Sequence, residues 1–137
     1  MDSANTLQAW AGEYVGLPFL EKGRDRDGLD CWGLIRLVYA ERFGRALPVW
    51  AEGYASTQPC EATAAHLAHC ATEFYEVQPG EEKLGDILLF RTGRHLSHVG
   101  LVIGGGWMLH ITAGINSSIE RYRAPRWLPR LAGVYRV

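Results

Sequence analysis

The stretch DILLFRTGRHLSHVGLVIGGGWMLHIT, residues 86–112, decides the fold class. Within it DILLFR (86–91), SHVGLVI (97–103) and WMLHIT (107–112) read as strands separated by Gly-rich or polar turns, and GVYRV (133–137) adds a fourth. Upstream the apolar period is helical. Leu7, Trp10, Ala11, Tyr14 and Val15 make one amphipathic stripe, with Ser3 or Asn5 as its cap and Gly16-Leu17-Pro18 as its stop. Cys31, Leu34, Ile35, Val38 and Tyr39 repeat the stripe, with Asp27 or Asp30 to cap the start and Gly44 to close the end. Ala64, Leu67, Ala68, Ala71, Phe74 and Tyr75 mark a third helix over 61–75, ended by Pro79-Gly80. Helices first and sheet second predict an α+β domain, its N-terminal helices packed on a mostly antiparallel β-sheet. No internal repeat or linker divides the chain, so 1–137 reads as a single domain.

Composition narrows the class. The chain has 137 residues, 47% hydrophobic and 21% charged, which is ordinary globular usage. Collagen, coiled coil, disulfide scaffold and disordered chain are excluded, and no apolar run approaches the ~20 residues of a membrane span. The opening MDSANTLQAW has neither a basic nor an apolar leader region, so a chain made in the cytoplasm is expected. Three cysteines, Cys31, Cys60 and Cys70, are then expected as thiols. Charge is lopsided: residues 1–86 carry 14 acids and 7 bases, residues 87–137 one acid and 7 bases. Five arginines follow Glu120, but no nucleic-acid motif accompanies them. A solvated or docking face is the expectation.

Cys31 is the first residue of its helix. There the unpaired N–H groups and the helix dipole favour thiolate. The competing reading is a small buried apolar residue, as many cysteines are. His98 and His110 bear on the choice. If Gly104-Gly105-Gly106 form the loop, paired residue numbers sum to 210 and Gly100 faces His110. His98 is then its diagonal neighbour on the same face. Val99, Leu101, Ile103, Trp107, Leu109 and Ile111 take the other face as core. A two-residue loop would put the histidines on opposite faces. A thiol, a base and an orienting group form the constellation for acyl transfer through a thioester. His98 takes the thiol proton and returns it to the leaving amine. His110 holds the His98 tautomer, and the Cys31 N–H serves the oxyanion.

LDCWGL (29–34), GDILLF (85–90) and SHVGLVIGGGWMLH (97–110), in that order, resemble the NlpC family of papain-like cell-wall cysteine peptidases; GLPF (16–19) resembles its stretch before the Cys. The resemblance implies a papain-like fold, Cys31 as nucleophile, His98 as base and His110 as third member. It also implies a substrate, the peptide stem of peptidoglycan, cut between D-glutamate and a diamino acid. The longer phrase DCWGLIRLVYAERFGRALP (30–48) is similar to the phage and prophage branch, whose members accompany tail-assembly genes. That implies tail or baseplate proteins as partners and a place in a tail particle. The resemblance also implies substrate contacts at Asp30, Trp32 and Phe19, although two of these positions depart from the family: Trp32 stands where many members have Ser, and Phe19 where many have a Tyr whose hydroxyl helps the oxyanion or the substrate amine.

Other residues carry two readings each. Asp30 caps its helix, binds a substrate ammonium, or does both. Trp32 lines the cleft or sits in the core, the cleft being favoured. Arg24 and Arg26 meet substrate carboxylates or are solvated loop charges, the latter being favoured. Cys60, His66, His69 and Cys70 suggest zinc by the spacing of the last three, but no familiar ligand pattern supports it, so no metal and no cofactor are expected. Two rival functions remain: an acyltransferase or amidase with the same three residues, and a structural tail component with a vestigial site.

Overall fold

The computed structural model describes residues 7–20, 23–47, 74–78, 80–93 and 95–137. Among the described residues, one α-helix and a six-stranded antiparallel sheet form the frame. Helix α1 spans Cys31–Arg42. Asp30 caps it: the backbone is extended there, and Oδ1 accepts the Gly33 N–H at 2.7 Å. Gly44, at φ +63°, ends it in the left-handed region where only glycine is at ease. The predicted stripe is the buried one, Cys31, Leu34, Ile35, Val38 and Tyr39.

Strands β1 (Arg24–Asp25) and β2 (Gly28–Leu29) form a minimal hairpin before α1. The large sheet comprises β3 (Tyr75–Val77), β4 (Ile87–Thr92), β5 (His95–Gly104), β6 (Trp107–Thr112), β7 (Ile115–Arg121) and β8 (Leu131–Arg136), in the order β3-β8-β4-β5-β6-β7. All four predicted strands are present, with Trp107–Thr112 as predicted and the ends of the other three moved by one to two residues. Both faces are covered. On one, α1 packs against Ile87, Leu89, Val99, Leu101, Ile103, Leu109 and Ile111. On the other, Leu88, Phe90, Val102, Met108 and Val134 meet Tyr122 and Trp127 from the segment that folds back between β7 and β8.

Four sequence expectations are corrected. The first predicted helix is a 3-10 helix over Ala9–Tyr14, so the buried pair is Ala11 and Tyr14, one three-residue turn apart, while Leu7 and Val15 are exposed. Tyr75, assigned to the third helix, instead opens β3; the rest of that helix up to residue 73, and the Ser3 or Asn5 cap, lie outside the described residues. Strand β7 was not foreseen, because Ile115–Arg121 (INSSIER) is largely polar. Its outer edge is occupied by the N-terminal segment: Gly16 N–H donates to the Ser117 carbonyl at 2.8 Å, and Ser117 N–H to the Leu17 carbonyl at 2.9 Å.

The fourth correction concerns the hairpin turn. Gly104 pairs with Trp107, leaving two residues in the loop, whereas Leu101↔Leu109 and Val102↔Met108 keep the expected sum of 210. A register shift between Val102 and Gly104 absorbs the odd residue. Gly104, Gly105 and Gly106 all have positive φ (101°, 64° and 82°), a run that residues with a Cβ rarely adopt. The turn was misjudged; the parity that sets the faces was not.

Candidate active site

Cys31 stands at the first position of α1, 3% exposed, as a thiol outside any disulfide. Its helix lies on β5 and β6, the strands that carry the two histidines. The thiol belongs to the cluster between helix and sheet. The imidazoles take the alternate positions, beside Phe90 and Trp127. The two histidines share one face, as the register required.

His98 Nε2 lies 3.0 Å from His110 Nδ1, and both side chains are buried. His110 Nε2 lies 2.6 Å from Glu120 Oε2, so the two rings and the carboxylate form one row across β5, β6 and β7. In β6–β7 the partner of His110 is Ser118, which makes Glu120 its diagonal neighbour, as His98 is on the other side. Trp127, 1% exposed, closes the row: its ring stacks on His98 at 5.5 Å, meets His110 edge-on at 4.9 Å, and its Nε1–H donates to Glu120 Oε1 at 3.1 Å.

Burial shifts the imidazoles toward the neutral form. His98 is held well below the ordinary histidine value, first by desolvation, then by His110, Arg130 and Arg126. His110 is also lowered by burial, which outweighs the opposing pull of Glu120. For Glu120 burial acts upward, yet the hydrogen bonds from Trp127 and His110 and the nearby Arg126 prevail and keep its carboxyl below the usual range. The row therefore comprises two neutral rings ending on a carboxylate.

Glu120 and Trp127 were missed from sequence. The signal for Glu120 was its standing as the only acid after Asp86; Trp127 offered none beyond its size. The other candidates resolve as follows. Asp30 is fully buried and is the helix cap. Trp32 is 2% exposed and stacks with Phe74 at 6.4 Å, so it sits in the core, correcting the preference for the cleft. Phe19 is half-buried in a bridge with Leu29, two residues before Cys31. Arg26 is bound to Glu41 and lies over the Tyr14 ring at 5.2 Å. Glu41 is in the last turn of α1, about 15 Å along the helix from Cys31 at ~1.5 Å per residue, so the substrate-carboxylate reading of Arg26 is corrected. The Arg24 side chain and Cys60, His66, His69 and Cys70 lie outside the described residues. Among the described residues no group of three or more His, Cys, Asp or Glu side chains is placed to hold a metal ion. None of their helices is long and apolar enough to cross a membrane.

Residues 16–136 match the NlpC/P60 family. Protein P54 of Enterococcus faecium is 29% identical over 104 residues, which cover 76% of this chain and 17% of that protein. The murein DD-endopeptidase MepS/murein LD-carboxypeptidase of Escherichia coli K12 is 26% identical over 137 residues, covering 100% of this chain and 64% of that one. Among solved structures, the NlpC/p60 domain of the peptidoglycan hydrolase SagA superposes with a TM-score of 0.65 at 22% identity, covering 94% of each chain, so the fold is shared. With a match over nearly its whole length and the family's papain-like fold, this chain belongs to the NlpC/P60 family.

Proposed function

We propose that the chain is a cysteine endopeptidase that hydrolyses peptidoglycan stem peptides at the bond between D-glutamate and the diamino acid. The observation that carries this reading is the His98–His110 pair, 3.0 Å apart on strands against which the Cys31 helix packs, in a chain of this family. His98 Nε2 is engaged by His110, which leaves His98 Nδ1 for the thiol. In the reaction, Nδ1 takes the thiol proton as Sγ adds to the scissile carbonyl. The Cys31 N–H, at the positive end of α1, donates to the oxyanion. Collapse breaks the C–N bond, and the departing amine of the diamino acid takes the proton from His98. Water, deprotonated by His98, then releases the glutamyl carboxylate from the thioester and restores the thiol.

The reading extends to place and partners. The likeness of residues 30–48 to the phage and prophage branch supports a peptidase carried in a tail particle, and the exposed Arg121, Arg123 and Arg126 suit a docking face for tail or baseplate proteins. Made in the host cytoplasm, the chain would open the wall locally while DNA is delivered. The test is a digest of defined muropeptides with the native protein and with Cys31→Ala, read by mass spectrometry. Products with a new glutamyl carboxylate and a new diamino-acid amine, absent with Cys31→Ala, are expected. A native protein inert on every stem peptide overturns the reading.

A further inference from the structure

We propose that Glu120 is a positioning residue that sets the tautomers of both imidazoles, so that His98 presents an unprotonated Nδ1 to the thiol. The proposal rests on reading His98 as the base, but the arrangement that supports it is independent of substrate. Each atom in the row has one role. An ionised carboxylate only accepts, so at 2.6 Å His110 Nε2 carries the hydrogen and donates to Glu120 Oε2. Burial keeps His110 neutral, so its Nδ1 is then a lone pair. At 3.0 Å that lone pair needs a donor, and His98 Nε2–H supplies it. His98, also neutral, is left with its lone pair on Nδ1. A lone Glu120 would set the same order, but Trp127 makes it stringent.

Trp127 Nε1–H donates to Glu120 Oε1 at 3.1 Å, and Arg126 Nη1 lies 3.6 Å from the same oxygen. Both need an acceptor there. In Glu120→Gln the amide oxygen would therefore face Trp127 and the NH2 would face His110. An NH2 facing His110 Nε2 requires a lone pair on that nitrogen, which moves the His110 proton to Nδ1. His110 then donates to His98 Nε2, and the His98 proton moves to Nδ1. The nitrogen needed as base becomes a donor. One isosteric exchange, two strands away from His98, thus inverts both rings without altering the shape of the row.

The experiment is 15N–1H correlation of the imidazoles in the full chain at pH 7.5, for the native protein and Glu120→Gln, beside kinetics on a stem peptide. Native His98 and His110 should both carry hydrogen on Nε2, and in Glu120→Gln both on Nδ1. kcat should fall by roughly 10²-fold or more, within the range of a lost acid–base group, with KM within about twofold. Unchanged tautomers in a folded Glu120→Gln, or a native His98 with its hydrogen on Nδ1, overturn the proposal; the native spectrum decides even if the variant does not fold. A native protein with the stated tautomers that cleaves no stem peptide supports the role of Glu120 and overturns the peptidase reading instead.

Discussion

Gly100 makes room for the Met108 side chain, next to His110. A methyl group at Gly100 would sit 3.6 Å from His110 Cβ, 3.6 Å from Phe90 Cε2 and 2.9 Å from Met108 Sδ. Only Met108 would be crowded; His110 and Phe90 would stand at ordinary van der Waals distance.

Gly100→Ala should therefore destabilise the protein by about 1–2 kcal/mol, since Met108 must move within a filled core. A shift of His110 with it would lengthen the 3.0 Å contact to His98. Thermal melts and stem-peptide turnover check both effects. A variant as stable and as active as the native protein would show that the row tolerates a Cβ.

Cys31→Ala should abolish turnover and cost only about 1–2 kcal/mol, because the side chain lost is small. His98→Ala should be nearly as damaging, since it removes base and acid together. His110→Ala should be milder, as that ring orients rather than reacts. Iodoacetamide at pH 6 should label Cys31 before Cys60 and Cys70. Equal labelling of all three thiols would count against an activated nucleophile.

Stability should fall as the pH drops through about 6.5. Both folded-state histidines bind protons more weakly than in the unfolded chain, because burial disfavours their charged form. Below the unfolded value the unfolded chain takes up protons that the folded one refuses, so unfolding gains; above it the contribution is flat. Each ring can contribute a slope of up to about 1.4 kcal/mol per pH unit. Urea midpoints at pH 7.5 and 5.5 test this, with His98→Gln expected to lose less on acidification. An equal loss in both would remove His98 as the cause.

Arg136 should be a structural anchor. Its guanidinium meets the buried Asp86 carboxylate through two hydrogen bonds of 2.8 Å each, tying β8 to the turn before β4. Losing one partner of a fully buried pair costs roughly 3–5 kcal/mol. Here the guanidinium is partly exposed, so Arg136→Met should cost about 2 kcal/mol. Denaturant unfolding measures it, and a change under half that size would mark the pair as unimportant.

Local sequence determined what local physics controls. The apolar period of residues 31–39, a capping Asp30 and the left-handed Gly44 suffice for α1. Alternation in 86–112 suffices for three strands and for the shared face of His98 and His110, because strand parity carries across a hairpin whose register is known. Even the misjudged turn left that parity intact. The tertiary structure decided the rest. β7 has little apolar alternation of its own and is a strand because β6 pairs with it on one side and the segment at Gly16–Leu17 on the other. Glu120 and Trp127 join the row only through that pairing and the fold-back of 122–130, contacts between residues 7 to 29 positions apart that no period in the chain encodes. Trp32 and Arg26 turned out to be structural because their partners, Phe74 and Glu41, lie 42 and 15 positions away. Whether a side chain faces a cleft or a core depends on what the folded chain sets in front of it.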